Sequence, residues 1–265
     1  MASLFQNTRQ AQHYAAARPS YPANLFRFIT GLCPNHAKAV DIGCGTGQAT
    51  VALAAYFESV VGVDPSPAQL SIASPCERVT YRTGKAVETL ATFPDHSINL
   101  ITAAQSAHWL DPMSFYQQAH RVLQPKGVLA IWVYAHLKCE QDPTLERMIS
   151  HDLYEVKLGS QYWDPRRRLV EGLYQDMPTM DHFHSGVTTT IYKEGGSYDI
   201  EKDVSAPELL EYLRSWSGYN NYRQQNPNAE DPMLELQHYC TANFKEKKIR
   251  VVWPLRLLVS VKSGD

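Results

Sequence analysis

No stretch of this chain approaches the roughly 18 apolar residues of a membrane-spanning helix, and the polar N-terminus has no basic region running into an apolar segment. A soluble, cytoplasmic protein without membrane partners is expected. Cysteine is sparse: Cys33, Cys44, Cys76, Cys139 and Cys240 are widely spaced, odd in number and form no C-x-x-C pair. That pattern argues against a disulfide framework and against zinc, so no metal is expected. Charge of one sign is also missing, since 25 Lys+Arg against 27 Asp+Glu leave a formal net charge of -2. Such a surface has no electrostatic footprint for a polyanion, which disfavours nucleic acid and favours a small-molecule substrate. Internal repeats and low-complexity blocks are absent as well. What 265 residues at 44% hydrophobic do supply is enough apolar surface for one large α/β domain or for one domain with a substantial insertion, expected as a monomer or weak homodimer.

The densest local signal is Ala39-Val-Asp-Ile-Gly-Cys-Gly-Thr-Gly-Gln48, an apolar strand pattern turning into a helix through three glycines. A sharp turn over a strand end needs backbone angles, and a closeness to ligand, that side chains forbid. Gly43, Gly45 and Gly47 form G-x-G-x-G, and Gln48 stands where a dinucleotide fingerprint needs glycine or alanine. A nicotinamide dehydrogenase is disfavoured on that ground. Asp41 sits poorly beside phosphates but suits a ligand carrying an ammonium and a sulfonium, as S-adenosylmethionine does. Further on, Ser59-Val-Val-Gly-Val-Asp64 reads as a second buried strand ending in an acid placed to accept hydrogen bonds from ribose hydroxyls.

The first half alternates strand and helix, which implies a parallel sheet. Helices are expected over 22–32, 48–56, 67–73 and 112–123, and strands over 39–42, 60–63, 79–82, 98–104 and 127–134. The second half changes character. Aromatic-rich helices near 143–158, 206–217 and 232–244 read as a lid, while 186–193 and 249–261, the latter interrupted by Pro254, read as strands closing the sheet edge as an antiparallel pair. The expected organisation is a core over 1–135, a mainly helical lid over 136–248 and a returning strand in 249–265.

Several segments together carry a resemblance over nearly the whole length: Tyr14-Ala-Ala-Ala-Arg-Pro-Ser-Tyr-Pro22, the glycine loop, Gly62-Val-Asp64, Ala104-Gln-Ser-Ala-His-Trp-Leu-Asp111, Trp163-Asp-Pro-Arg-Arg167 and Tyr212-Leu-Arg-Ser-Trp-Ser-Gly-Tyr219. On these the chain resembles class I S-adenosylmethionine-dependent methyltransferases, and within them the small-molecule branch that includes the trans-aconitate methyltransferases. The resemblance implies a Rossmann-like α/β sheet, mostly parallel, with a helical lid. It also implies that Asp41, Gly43 and Gly45 hold the amino-acid end of the cofactor, Asp64 and Pro65 the ribose side, Ala86 and Val87 the adenine, and Gln105 the methionine portion. Tyr14 and Arg18 would close over that same end. Val87 departs from the acid that relatives often carry there.

For the chemistry, an in-line methyl transfer mainly needs alignment and exclusion of water. A carboxylate nucleophile loses no proton, so carboxyl O-methylation of an organic acid is the favoured reaction. An amine or phenol would need a base, for which His108 is the candidate, with a purely structural histidine as the alternative. Tyr21, Trp109, Trp132, Tyr134, Trp216 and Tyr219 are candidate pocket walls, Trp132 and Tyr134 because they leave a strand at the ligand end. Arg166, from the run Arg166-Arg167-Arg168, is the candidate partner for a substrate carboxylate. A non-catalytic cofactor-binding protein is the alternative of another class.

Overall fold

The computed structural model describes residues 19–192 and 198–264. Five parallel strands form its centre: β1 (Lys38–Ile42), β2 (Ser59–Asp64), β3 (Val79–Thr83), β4 (Ile98–Ala104) and β5 (Leu123–Tyr134). Their order is β3-β2-β1-β4-β5, so the chain reverses direction across the sheet between β1 and β4, where a ligand crevice opens at the strand carboxyl ends. The sheet continues through β9 (Leu255–Lys262) to an edge strand β6 (Val187–Tyr192), both pairings antiparallel. The expected parallel sheet with an antiparallel edge is therefore what the chain forms.

The run over 249–261 does not stay in one sheet. Pro254, which has no N–H to give to a ladder, separates β9 from β8 (Ile249–Trp253), and β8 pairs instead with β7 (Ile200–Val204) in a two-stranded ribbon. The polar sequence of β7, Ile200-Glu-Lys-Asp-Val204, hides it from an apolar-run search; only its two ends are buried.

Both faces of the main sheet are covered, as buried parallel strands require. Along β5, Val128, Ala130, Trp132 and Tyr134 face a layer containing α1 (Ala23–Gly31) and α2 (Gln48–Leu53), while Leu129, Ile131 and Val133 face a layer containing α4 (Ala86–Leu90) and α5 (Pro112–Val122). The alternation follows from the two-residue period of a strand. The remaining core helix, α3 (Pro67–Leu70), starts at Ser66, whose hydroxyl accepts from the Gln69 amide at 3.3 Å. Among the described residues no helix is long and apolar enough to cross a membrane.

The region expected to form a lid is more broken than its sequence suggests. Residues 143–158 form α6 (Pro143–Arg147) and then a π-helix (Met148–Leu158), a rare geometry that recurs at functional sites. The segment after Ala206 divides at Ser215-Trp216 into α8 (Ala206–Arg214) and α9 (Ser217–Gln225), and α10 (Leu234–Asn243) follows.

Trp132 is fully buried, packed edge-on against Tyr21 and Phe26 with ring centroids 5.4 and 6.1 Å away. It is core, not pocket wall. Trp132→Ala is expected to lower stability by about 3–5 kcal/mol, as loss of a large buried ring does; urea denaturation of the full chain checks this.

Candidate active site

The glycine loop follows β1 and folds back over the end of β2. The amides of Gly43 and Cys44 donate to the Val63 carbonyl at 2.7 and 3.1 Å, and the Gly45 amide donates to Asp64 Oδ2 at 2.9 Å. This path needs left-handed backbone: Gly43 and Gly45 have φ of 67° and 56°. At Gly43 a Cβ would collide with Ser106, whose hydroxyl donates to the Ile42 carbonyl at 2.7 Å. At Gly45 the reason is different. A Cβ there would have Gln69 Oε1, 3.7 Å away, as its near neighbour, so the space it would enter is a cavity.

That cavity holds about 1350 Å³ of empty space, its open mouth included, above the ends of β1, β2 and β4. A second, of about 840 Å³, adjoins it and shares Gly43, Pro65, Ser106 and Trp109 with it. Asp41, Gly43, Gly45, Asp64, Pro65 and Gln105 line the first cavity; Ala86 and Val87 line the second. The sequence-based set thus divides into two adjoining lobes. Tyr14 and Arg18 lie outside the described residues.

Two buried carboxylates define the floor. Asp41 accepts from Thr50 Oγ1 at 2.6 Å and from Thr102 Oγ1 at 2.7 Å, tying α2 and β4 to β1. Burial pushes its pKa up to about 6, against the pull of those hydroxyls and with the nearby charge of Asp64 adding to the rise. Asp64 accepts from the amides of Gly45 and Ser66 at 2.9 and 2.8 Å; burial raises its pKa too. Each carboxylate keeps lone pairs beyond these bonds. A floor of this kind takes a ligand with positive charge and hydroxyl donors.

Gln105 has a positive φ of 52° and a committed side chain. Its amide donates to the Tyr134 carbonyl at 3.1 Å and accepts from the Tyr134 N–H at 2.8 Å, clamping the end of β4 to the end of β5. Strained backbone of this sort collects at functional sites. Tyr134 is thereby held at the cavity wall, beside Tyr21.

The opposite wall comes from a short 3-10 turn (Ala107–Trp109) and from the lid. His108 and Trp109 line the cavity with Trp163, Asp164 and Arg167. The His108 Nδ1 lies 2.7 Å from the hydroxyl of Tyr174. Burial, with Arg167 and Arg166 adding to it, pushes the His108 pKa down to about 3, so the ring is neutral at physiological pH.

Three expected pocket residues besides Trp132 lie elsewhere. Arg166 is exposed and forks onto Asp164 at 3.0 and 3.1 Å, with its guanidinium 4.4 Å above the Trp109 ring; it backs the wall instead of lining it. Arg167, at the start of α7 (Arg167–Glu171), is the arginine of the run that lines the cavity. Its guanidinium stands 5.2 Å over the Trp163 ring and 3.4 Å from the Nε2 of His136, and its buried Nε has no hydrogen-bond partner. A run of three like residues does not reveal which of them faces inward. Trp216 is buried among His136, Tyr154 and Trp163, while its neighbours Ser215 and Ser217 line the cavity. Tyr219 donates to Asp231 at 3.2 Å, away from the opening. Sequence reading also missed Thr50, Thr102 and Tyr174, which lie in none of the quoted motifs, and Ser106, which lies inside the segment 104–111 without being singled out there.

Because the folded-state pKa of Asp41 is raised above its ordinary 3.8 to about 6, the folded protein binds a proton that the unfolded chain releases. The resulting stability is fully present below about pH 4 and lost as pH rises through about 6, on the order of 3 kcal/mol in all. Asp41→Asn is expected to remove that component, so the stability difference between variant and parent should grow with pH across this window in urea titrations.

Residues 40–131 match the family described as a methyltransferase domain. A Dictyostelium discoideum protein named a putative methyltransferase is 32% identical over 95% of this chain and 93% of its own length. A Saccharomyces cerevisiae protein named a probable S-adenosylmethionine-dependent methyltransferase is 26% identical over 95% of each chain. Among solved structures, that of a putative type II methyltransferase from Anaeromyxobacter dehalogenans superposes with a TM-score of 0.76 at 32% identity, covering 91% of this chain and 97% of that one. With this fold, this loop and these relatives, the chain belongs to the class I S-adenosylmethionine-dependent methyltransferases.

Proposed function

We propose that this enzyme methylates a carboxylate oxygen of a small organic acid, in the manner of the trans-aconitate methyltransferases that its sequence resembles. The observation that carries the reading is Arg167, a cation on the cavity wall beside a histidine whose proton affinity is suppressed.

The donor half of the site fits S-adenosylmethionine. Asp41 and Asp64 offer negative charge and free lone pairs, and Gln69 Oε1, beside Gly45 at the cavity wall, is a buried acceptor without a partner. Asp64 suits the ribose hydroxyls, and the second lobe, with Pro65, Ala86, Val87 and Leu110, suits a flat adenine. When bound, S-adenosylmethionine would supply an electrophilic methyl carbon on a cationic sulfur; a carboxylate oxygen would form the O–CH3 bond as the C–S bond breaks, the C–S electron pair staying on the departing sulfur and no proton being released.

On the acceptor side, a guanidinium offers a carboxylate two parallel N–H donors. Arg167 is steadied for this by the rings of Trp163 and His136. A histidine with a pKa near 3 is a weak base, poorly matched to removing a proton from an amine or a phenol. Tyr21, Trp109, Tyr134 and Trp163 add apolar wall that keeps water from the reacting atoms.

Two measurements test the two halves. Asp64→Ala is expected to weaken S-adenosylmethionine binding about tenfold or more in calorimetric titration; an unchanged affinity overturns the ribose assignment. In assays with a panel of small di- and tricarboxylic acids, Arg167→Gln should cut kcat/KM about 10- to 100-fold, mainly through KM, as loss of a charge-assisted bond does. Arg166→Gln should change it less than about threefold, the effect expected of a group outside the contact. Turnover of amines or phenols with none of any carboxylic acid overturns the reading.

A further inference from the structure

The turn after α7 contains a conformation that its residues do not favour. Leu173 and Tyr174 both have left-handed backbone, with φ of 49° and 57°. A helix often ends through one such residue, usually glycine, yet here Gly172, one position earlier, keeps a negative φ of -77°. Two consecutive large side chains in this region are strained, and strain of this kind persists only where the surroundings enforce it. They do so from three directions. The Leu173 amide donates to the Val170 carbonyl at 3.0 Å, the Tyr174 amide donates to the Leu169 carbonyl at 2.8 Å, and Arg256 on β9 donates from Nη1 to the Leu173 carbonyl at 2.9 Å.

The turn drives the Tyr174 side chain, fully buried, beneath the 3-10 turn that carries His108. There its oxygen meets the amides of Ala107 and His108, the latter at 3.4 Å, as well as the His108 Nδ1 at 2.7 Å. An amide can only donate. With its lone pairs facing those amides, the phenol has its own hydrogen left to give, and the Nδ1 is the acceptor within reach. Burial keeps the phenol protonated by pushing its pKa up. An imidazole whose Nδ1 accepts carries its proton on Nε2.

We propose that Tyr174 is a positioning residue: held down by a left-handed turn, its hydroxyl fixes neutral His108 as the Nε2–H tautomer, making the ring a hydrogen-bond donor toward the cavity. Where the acceptor is an acid, a point that rests on the function proposed above, that N–H and the Arg167 guanidinium would bind oxygens of one anion. The same tautomer denies His108 the lone pair that a base would need on Nε2. Trp109, whose ring lies 4.7 Å from that of His108, limits the ring's freedom to flip. The groups named beside it, Arg166, Arg167 and Asp164, set its charge surroundings.

The test is two-bond ¹H–¹⁵N correlation spectroscopy of the full chain with ¹⁵N-labelled histidine and no added ligand, the His108 signals being identified by their loss in His108→Gln. The expected wild-type pattern is a protonated Nε2 and an unprotonated Nδ1 in a single tautomer. Tyr174→Phe, which keeps the ring and removes the hydroxyl, should yield a mixture of tautomers. It should also raise the KM for an acid acceptor about tenfold while leaving S-adenosylmethionine affinity within about twofold. A wild-type spectrum with Nδ1 protonated overturns the proposal, as does a folded Tyr174→Phe protein with an unchanged His108 pattern. A protonated Nδ1 in the wild-type spectrum overturns the proposal even if the variant fails to fold. An Nε2–H tautomer found alongside amine methylation alone would support the lock and retire only the acid-acceptor reading.

Discussion

Two carboxylates, buried side by side where adjacent strands end, are the constraint around which the site is built. Burial raises the proton affinity of both, the charge of Asp64 adds to the rise at Asp41, and neither is relieved by a lysine or arginine among the described residues. The chain instead surrounds them with neutral donors: two threonine hydroxyls for Asp41 and two loop amides for Asp64. Neutral donors satisfy hydrogen bonds without cancelling charge. The fold therefore carries an uncompensated negative floor, and a cationic ligand completes the electrostatics that folding leaves open.

The opposite wall has the reverse polarity, with Arg167 inside and Arg166 stacked behind Trp109. A cavity negative below and positive above suits a cationic methyl donor at its floor, and on the carboxylate reading proposed above an anionic acceptor would face it from the wall. On that reading, preorganisation would accelerate the displacement with little acid–base machinery, because the charges that cancel in the reaction are held apart until the reactants align.

Much of this was legible before any coordinates. The glycine loop, the acid ending β2 and the strand–helix alternation each carry a short-range signature, and so the sheet and the loop follow from local pattern, while Ala86, Val87 and Gln105 were reached through the family resemblance. What escaped depends on distance in the chain. Thr102 reaches Asp41 across a strand pairing, and Tyr174 reaches His108 across 66 residues. Arg166 and Arg167 are indistinguishable in sequence, and the phase of α7 decides between them. Trp132 and Tyr134 share one face of β5, but the two-residue offset along the strand leaves the first beneath Tyr21 and brings only the second to the opening. The strand β7 was invisible because a charged ribbon, crossed by the Arg250 contacts to Glu201 and Asp203, has no apolar period to read.

Pro254 joins the lid ribbon to the central sheet through a single residue. The lid is thereby tethered at both ends, by β5 where the chain leaves the core and by this short joint where it returns. Insertions or deletions among the helices between those anchors change the shape of the roof while the strands bearing Asp41 and Asp64 stay in register. A reshaped roof over an unchanged floor would alter the space offered to the methyl acceptor without disturbing the carboxylates that face the donor.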